Sequence, residues 1–186
     1  KNRLMMLDVI ANNNWKRPVY FTGGSFGDDD YLWMKDYLQL DGLVYKLVPI
    51  KTKNNPESPL DMGQIDSEKM YNLIKKWEWG NGERTDIYHD PETRKNSISY
   101  RTNMARLMQQ LIYEEDNKKA EEIIELALTK MPMDYYGYYT MVEPFASGYY
   151  QIGKKEKARE LLSKLVNKYK QSLTYFAGIQ PSIQNG

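Results

Sequence analysis

The sequence contains no cysteine, which excludes disulfides, thiolate metal sites and thiol catalysis without choosing between cytoplasm and periplasm. No apolar run approaches the roughly 18–20 residues needed to span a bilayer, and no secretory signal is visible. An excess of one charge is lacking too. The 26 basic and 25 acidic side chains leave a net charge of +1, and Lys and Arg are interleaved with Asp and Glu. A nucleic-acid partner needs a concentrated basic surface, so none is expected. The chain starts at Lys1 without an initiator Met, inside an amphipathic segment (Leu4, Met5, Leu7, Ile10). It therefore reads as a piece of a longer polypeptide, and the missing signal does not settle its compartment.

What is present is aromatic: 16 Tyr and four Trp. At this density aromatic rings either fill a core between dissimilar elements or line a contact surface. A chain of 186 residues can bury a real core as one domain or two small ones.

The first half predicts a small α+β unit. Residues 1–11 read as the last turns of a helix, with Leu4, Leu7, Ile10 and Ala11 on one face; Asn12–Asn14 ends it, because Asn tolerates the left-handed conformation of helix C-termini. Residues 17–22 read as a short strand with Pro18 near its start. A short helix through Leu32, Met34 and Tyr37 follows Asp28–Asp30. Residues 43–50 are the strongest strand, pairing with Leu38–Leu40 through the Asp41-Gly42 turn. A helix starting at Asp66 buries Met70, Tyr71, Ile74 and Trp77 and runs to Gly80-Asn81-Gly82. Residues 87–94 read as irregular, with a turn at Asp90-Pro91.

The second half changes character to four helices, expected at 97–113, 119–131, 141–150 and 154–169. Ala120 and Ala158 each follow a polar turn, and they anchor a tetratricopeptide-like alignment. Measured from Ala120, the pattern asks for a small residue seven positions on and Pro twelve on, supplied by Ala127 and Pro132. Twelve positions before, the two units carry Met108 and Ala146; nine before, Leu111 and Tyr149. Small residues are needed where the two helices of a hairpin approach closely. The second unit departs from the pattern at Leu165 and lacks the final Pro. Its Ala lies 38 residues after the first rather than the usual 34, so the linker 133–139 carries the extra residues. Two degenerate units fall below the roughly three that make an independent solenoid. The expectation is one composite α+β domain: a small α+β unit over 1–96 with two tetratricopeptide-like hairpins over 97–186 packed on it.

Candidate chemistry is thin. Asp28-Asp29-Asp30 offers carboxylates to a hard cation but lacks the spaced ligands of an EF-hand loop; a solvated helix start is preferred. Gly23–Gly27 follows a strand as a phosphate-binding loop would, yet has no Gly-Lys-Ser/Thr ending and is followed by repelling acids. His89, the sole histidine, could pair with Asp86 or Asp90, but a neighbouring pair in a Pro-containing loop supplies neither geometry nor nucleophile. It reads as a surface or hydrogen-bonded structural residue. The acids Glu114-Glu115-Asp116 and Glu121, Glu122 and Glu125 read as a solvated helix face beside Lys118 and Lys119. Tyr135, Tyr136, Tyr138, Tyr139, Tyr149 and Tyr150 either bind peptides or sugar rings or fill a seam between the hairpins and the first half; the seam is preferred. No catalytic residue, metal or cofactor is expected.

Several strings carry a resemblance: Leu4-Met5-Met6-Leu7-Asp8, Asn14-Trp15-Lys16-Arg17-Pro18-Val19-Tyr20-Phe21, Tyr37-Leu38-Gln39-Leu40-Asp41-Gly42-Leu43-Val44-Tyr45-Lys46-Leu47-Val48-Pro49 and Trp79-Gly80-Asn81, with the helices after Arg101. The chain resembles the C-terminal soluble region of the domain-of-unknown-function 2723 membrane proteins, which are related to protein O-mannosyltransferases. The resemblance implies a polytopic glycosyltransferase-like parent whose catalytic acid and lipid-phosphate-sugar site lie in its membrane part. None of those motifs is present here. It also implies a domain on the periplasmic side of the inner membrane, with the membrane-embedded part of the same polypeptide and an acceptor polypeptide as partners. The expected contact surface is the inner face of the first and third helices of the array: Gln109, Tyr113, Glu143, Ser147 and Tyr150. The competing expectation is a protein-interaction scaffold unrelated to sugar transfer.

Overall fold

A computed structural model describes residues 2–22, 32–52 and 62–178. The fold is α+β, as expected. The chain divides into two compact units, Lys1–Glu78 and Trp79–Gly186.

The first unit holds helix α1 (Asn2–Asn13) and a three-stranded antiparallel sheet in the order β1-β3-β2. Its strands are β1 (Tyr20–Thr22), β2 (Leu38–Asp41) and β3 (Val44–Leu47). The β2–β3 hairpin closes at the expected place, with Asp41 opposite Val44. Gly42 sits there at φ +68, and a Cβ on it would meet Leu73 Cδ2 at 2.7 Å and Trp77 Cζ2 at 2.9 Å. A residue without a side chain is needed both for the turn and for that approach.

Proline shortens the strands relative to the expected 17–22 and 43–50. Pro18 and Pro49 carry no N–H and cannot extend a ladder. Val48, opposite Tyr37 in the same register, still donates its N–H to the Tyr37 carbonyl (2.9 Å), and Pro49 follows it. The outer edge of β2 is covered rather than bare, since Gln64 exchanges backbone bonds with Leu38 and Leu40 (3.0 and 2.9 Å).

Met34, Leu38 and Leu47 form the buried centre, with Met6, Ile10, Val19, Phe21, Tyr45 and Met62 packed around it. On α1, Met6 and Ile10, one turn apart, face this core. Leu4 and Leu7, expected on the buried face, are 73% and 48% exposed. The sheet is too small to cover the wider apolar arc of α1.

Helix α2 (Ser67–Ile74) starts where Asp66 accepts the Lys69 N–H at 3.1 Å. Met70 and Ile74 are buried as expected, and Lys69 pairs with buried Asp41 at 2.6 Å. The helix ends at Ile74, short of the expected 80–82. Lys76 and Trp77 bond three residues back, to Leu73 and Ile74, a tightened turn that carries Trp77 onto Gly42.

In the second unit, a short helix α3 (Pro91–Lys95) stands where irregular chain was expected. Asp90 accepts from the Glu92 and Thr93 N–H groups (2.9 and 3.1 Å), and Pro91 occupies the first helical position. The dipeptide read as a turn is also a helix start.

Four helices follow: α4 (Ser97–Tyr113), α5 (Asn117–Lys130), then, after the short α6 (Met133–Tyr136), α7 (Glu143–Gln151) and α8 (Lys155–Gly178). They pair as two hairpins, α4 with α5 and α7 with α8. The hairpin turns are the same structure. Asp116 N–H bonds Leu111 O (2.9 Å) in one, and Lys154 N–H bonds Tyr149 O (2.8 Å) in the other. Glu115 and Gly153, five residues before Ala120 and Ala158, are left-handed at φ 63 and φ 80. Ala120, Ala127, Ala146 and Ala158 are all buried, as close helix approach requires. Helix α8 runs nine residues past the expected end at Tyr169, because no helix breaker intervenes before Gly178.

Met108 stands where the repeat pattern asks for a small residue. The facing helix makes the room instead: a Cβ on Gly148 would clash with Met108 Sδ and lie 3.2 Å from Ile124 Cδ1.

The linker 131–141 is ordered around Arg101, which is 1% exposed. Its guanidinium donates to Met131 O (2.8 Å) and Gly137 O (2.6 Å) and lies 6.0 Å from the Tyr136 ring centroid. Burial pushes its pKa down to about 10, so it remains a cation at neutral pH.

Two stability outcomes are expected. Gly148→Val should cost about 1–3 kcal/mol by overpacking, and Met108→Ala in the same chain should recover much of it; additive losses in denaturant unfolding would separate the two positions. Arg101→Leu leaves buried carbonyls unpaired and should cost about 3 kcal/mol, with Arg101→Lys in between because it loses the planar fork. A leucine variant as stable as the parent would show that the guanidinium is not the tie.

Candidate functional site

The second unit carries the expected contact residues. Gln109 and Tyr113 lie on α4, and Glu143, Ser147 and Tyr150 on α7; all five are exposed, Tyr113 by 84% and Tyr150 by 40%. The two helices are in contact. The hydroxyls of Tyr113 and Tyr150 make no hydrogen bond among the described residues. Glu143 accepts the Tyr169 hydroxyl (2.6 Å), a bond that pushes the Tyr169 pKa up to about 12, and Ser147 accepts from Gln151 (3.2 Å). This face presents rigid aromatic area with hydroxyls and one carboxylate, which suits contact with a polypeptide.

The tyrosine cluster divides in two. Tyr136 and Tyr149 are buried and Tyr135 half-buried. The Tyr136 hydroxyl donates to Gly82 O (2.9 Å), and that of Tyr135 donates to Ile87 O while accepting the His89 N–H (2.8 Å). The His89 ring lies 5.5 Å from Tyr135, edge-on, and 6.0 Å from Tyr136, stacked. Segment 79–90 is thus tied to α6, with Lys130–Glu83 (2.7 Å) as a further strap. These rings are structural, whereas Tyr113, Tyr138 and Tyr150 stay exposed.

The acidic residues Glu121 and Glu125 do more than face solvent. Lys154 and Lys157 pair with Glu121 at 3.0 and 2.9 Å, Lys157 reaches Glu125 at 2.6 Å, and the Tyr149 hydroxyl donates to Glu125 at 3.1 Å. This network joins α5 to the start of α8, across the hairpins. Bonds from Lys157 and then Lys154 hold the Glu121 carboxyl below its ordinary value of 4.5, and Glu121 in turn holds Lys157 well above 10.5. Asp116 caps α5 through the Lys119 N–H (3.1 Å).

The first unit offers a feature the sequence reading missed: an apolar groove of about 240 Å³ lined by Leu7, Ile10, Trp15, Trp33, Tyr37 and Leu47 among others. Trp15 sits at φ 55, an uncommon conformation for a bulky residue, and with Trp33 it is exposed. The groove can take an apolar group and, among the described residues, has no charged side chain in its lining. The signal in the sequence was a pair of tryptophans flanking a short strand, which by itself names no site. The acidic triplet 28–30 and the glycine run 23–27 lie outside the described residues.

Residues 1–69 match the family model TMEM260-associated domain 2. No curated protein and no solved structure matches the chain. The match fits the coarser part of the expected resemblance, a domain of a TMEM260-like family, and does not extend to the domain-of-unknown-function 2723 assignment. Its span contains every residue of the groove. Among the described residues no helix is long and apolar enough to cross a membrane.

The acid limb of the stability profile should report on the inter-hairpin network. A carboxylate with a depressed folded pKa stabilises above its unfolded value, about 4.5, and that contribution is lost as pH falls through the folded value. Glu121→Gln should therefore unfold at a lower temperature than the parent at pH 7, and the two should converge in acid. A constant gap between the melting curves at every pH would mean that the charge of Glu121 contributes nothing.

Proposed function

We propose that this chain is an accessory, non-catalytic domain of a TMEM260-like, protein O-mannosyltransferase-related membrane glycosyltransferase. The match over residues 1–69 carries this reading. In it the domain lies on the periplasmic side of the inner membrane, beside the membrane-embedded part of the same polypeptide. The tetratricopeptide-like hairpins hold acceptor polypeptide on the face formed by Gln109, Tyr113, Glu143, Ser147 and Tyr150. Support comes from the chemistry of that face, where exposed tyrosines offer contact area at a low cost in side-chain entropy. Further support comes from the shared turns and buried alanines of the two hairpins, which leave successive first helices free to present side chains to a peptide.

The reading predicts different fates for binding and stability. With an unfolded Ser- and Thr-rich polypeptide as probe, Tyr113→Ala combined with Tyr150→Ala should weaken binding by about tenfold or more, as loss of aromatic anchors does. The thermal midpoint should stay near that of the parent. A large drop in the midpoint with unchanged binding would make both residues part of the core and remove the face from consideration.

A further inference from the structure

We propose that the outer face of α8 is a docking seam for an acidic amphipathic α-helix of a protein partner. This surface adjoins the face invoked above through the Tyr169–Glu143 bond, but the argument for it does not rest on that reading. It begins with length. Helix α7 has 9 residues and α8 has 24, so at 1.5 Å per residue α8 runs about 22 Å further than the helix it pairs with. Ala158, Leu161 and Leu165 are buried, whereas all residues from 173 to 178 are exposed.

A second apolar line runs beside the buried one. Leu162, Val166, Tyr169, Leu173 and Phe176 recur at alternating steps of four and three, the spacing of a coiled-coil seam. Leu162 is 38% exposed, Val166 48%, Leu173 69% and Phe176 61%. Tyr169 is half-buried and held by Glu143 and by the Tyr139 ring, 6.1 Å away, which fixes the middle of the line. At 100° per residue Leu162, Val166 and Leu173 fall within about 40° of one another. Helices that lie on a membrane surface present a far wider apolar arc, so this narrow line suits a facing helix better than lipid.

Charge selects the occupant. Arg159 and Lys170 border the line on its solvent side and Lys155 stands on it at its N-terminal end, and none of the three makes an ion pair among the described residues. The carboxylates of α8 are Glu156 and Glu160, further round the helix, and Glu160 is taken by Lys164 at 2.7 Å. A second copy of α8 would bring two basic borders together. A helix with an apolar seam and Glu or Asp at its flanks would pair its acids with Lys155, Arg159 and Lys170.

The test uses a labelled peptide with Leu at its seam positions and Glu at its flanks, the same peptide with Lys at its flanks, and vesicles of phosphatidylcholine with phosphatidylserine. The expected result is saturable binding of the Glu peptide, abolished for the Lys peptide. Leu173→Asp should weaken it by about tenfold, with no change in the thermal midpoint, since Leu173 is exposed. Val166→Asp, nearer the hairpin, should act in the same direction and guards against a local effect of the first change. Equal binding of both peptides, binding untouched by Leu173→Asp, association with vesicles in place of the peptide, or self-association abolished by Leu173→Asp would each overturn the proposal.

Discussion

The guanidinium of Arg101, buried in the helical unit, is the interaction on which the arrangement of that unit depends. It projects from α4 to bond Met131 O at the end of α5 and Gly137 O beyond α6. Helix C-termini carry unpaired carbonyls and a partial negative charge, so a cation there satisfies both at once. Held in this way, the linker sets the positions of Tyr135 and Tyr136, whose hydroxyls then anchor the backbone at Ile87 and Gly82. One buried charge thereby fixes a segment far from it in sequence.

The two hairpins are built to one plan and adjusted by substitution. Their turns share bonds and left-handed residues, and their alanines sit at the places where helices meet. Where the first hairpin carries Met108 in place of a small residue, glycine at 148 on the facing helix absorbs the volume. The volume rule applies to the contact rather than to a single position, which is how degenerate repeats keep their packing. The lysines at the start of α8 then tie the second hairpin to the first through Glu121 and Glu125. Carboxylates that looked like an acidic face belong to the frame.

Both units leave aromatic and apolar area uncovered. The first exposes Trp15 and Trp33 at its groove and Leu4 on α1; the second exposes Tyr113, Tyr150 and the outer line of α8. These are groups that gain from contact with another surface.

The sequence by itself determined the class of fold, the β2–β3 hairpin and the four long helices with their buried alanines. Those features follow from short-range rules: alternation, helical spacing, glycine turns and capping. It also offered Gln109, Tyr113, Glu143, Ser147 and Tyr150 as a contact surface, and the structure shows these five exposed. Only the tertiary structure decided the rest. Arg101 looked like any helical arginine until the linker folded over it, and Met108 broke the pattern until Gly148 faced it. The end of α2 and the parting of the tyrosines into core and surface depend on neighbours distant in sequence. No local pattern records them, because burial is a property of pairs of elements and periodicity is a property of one.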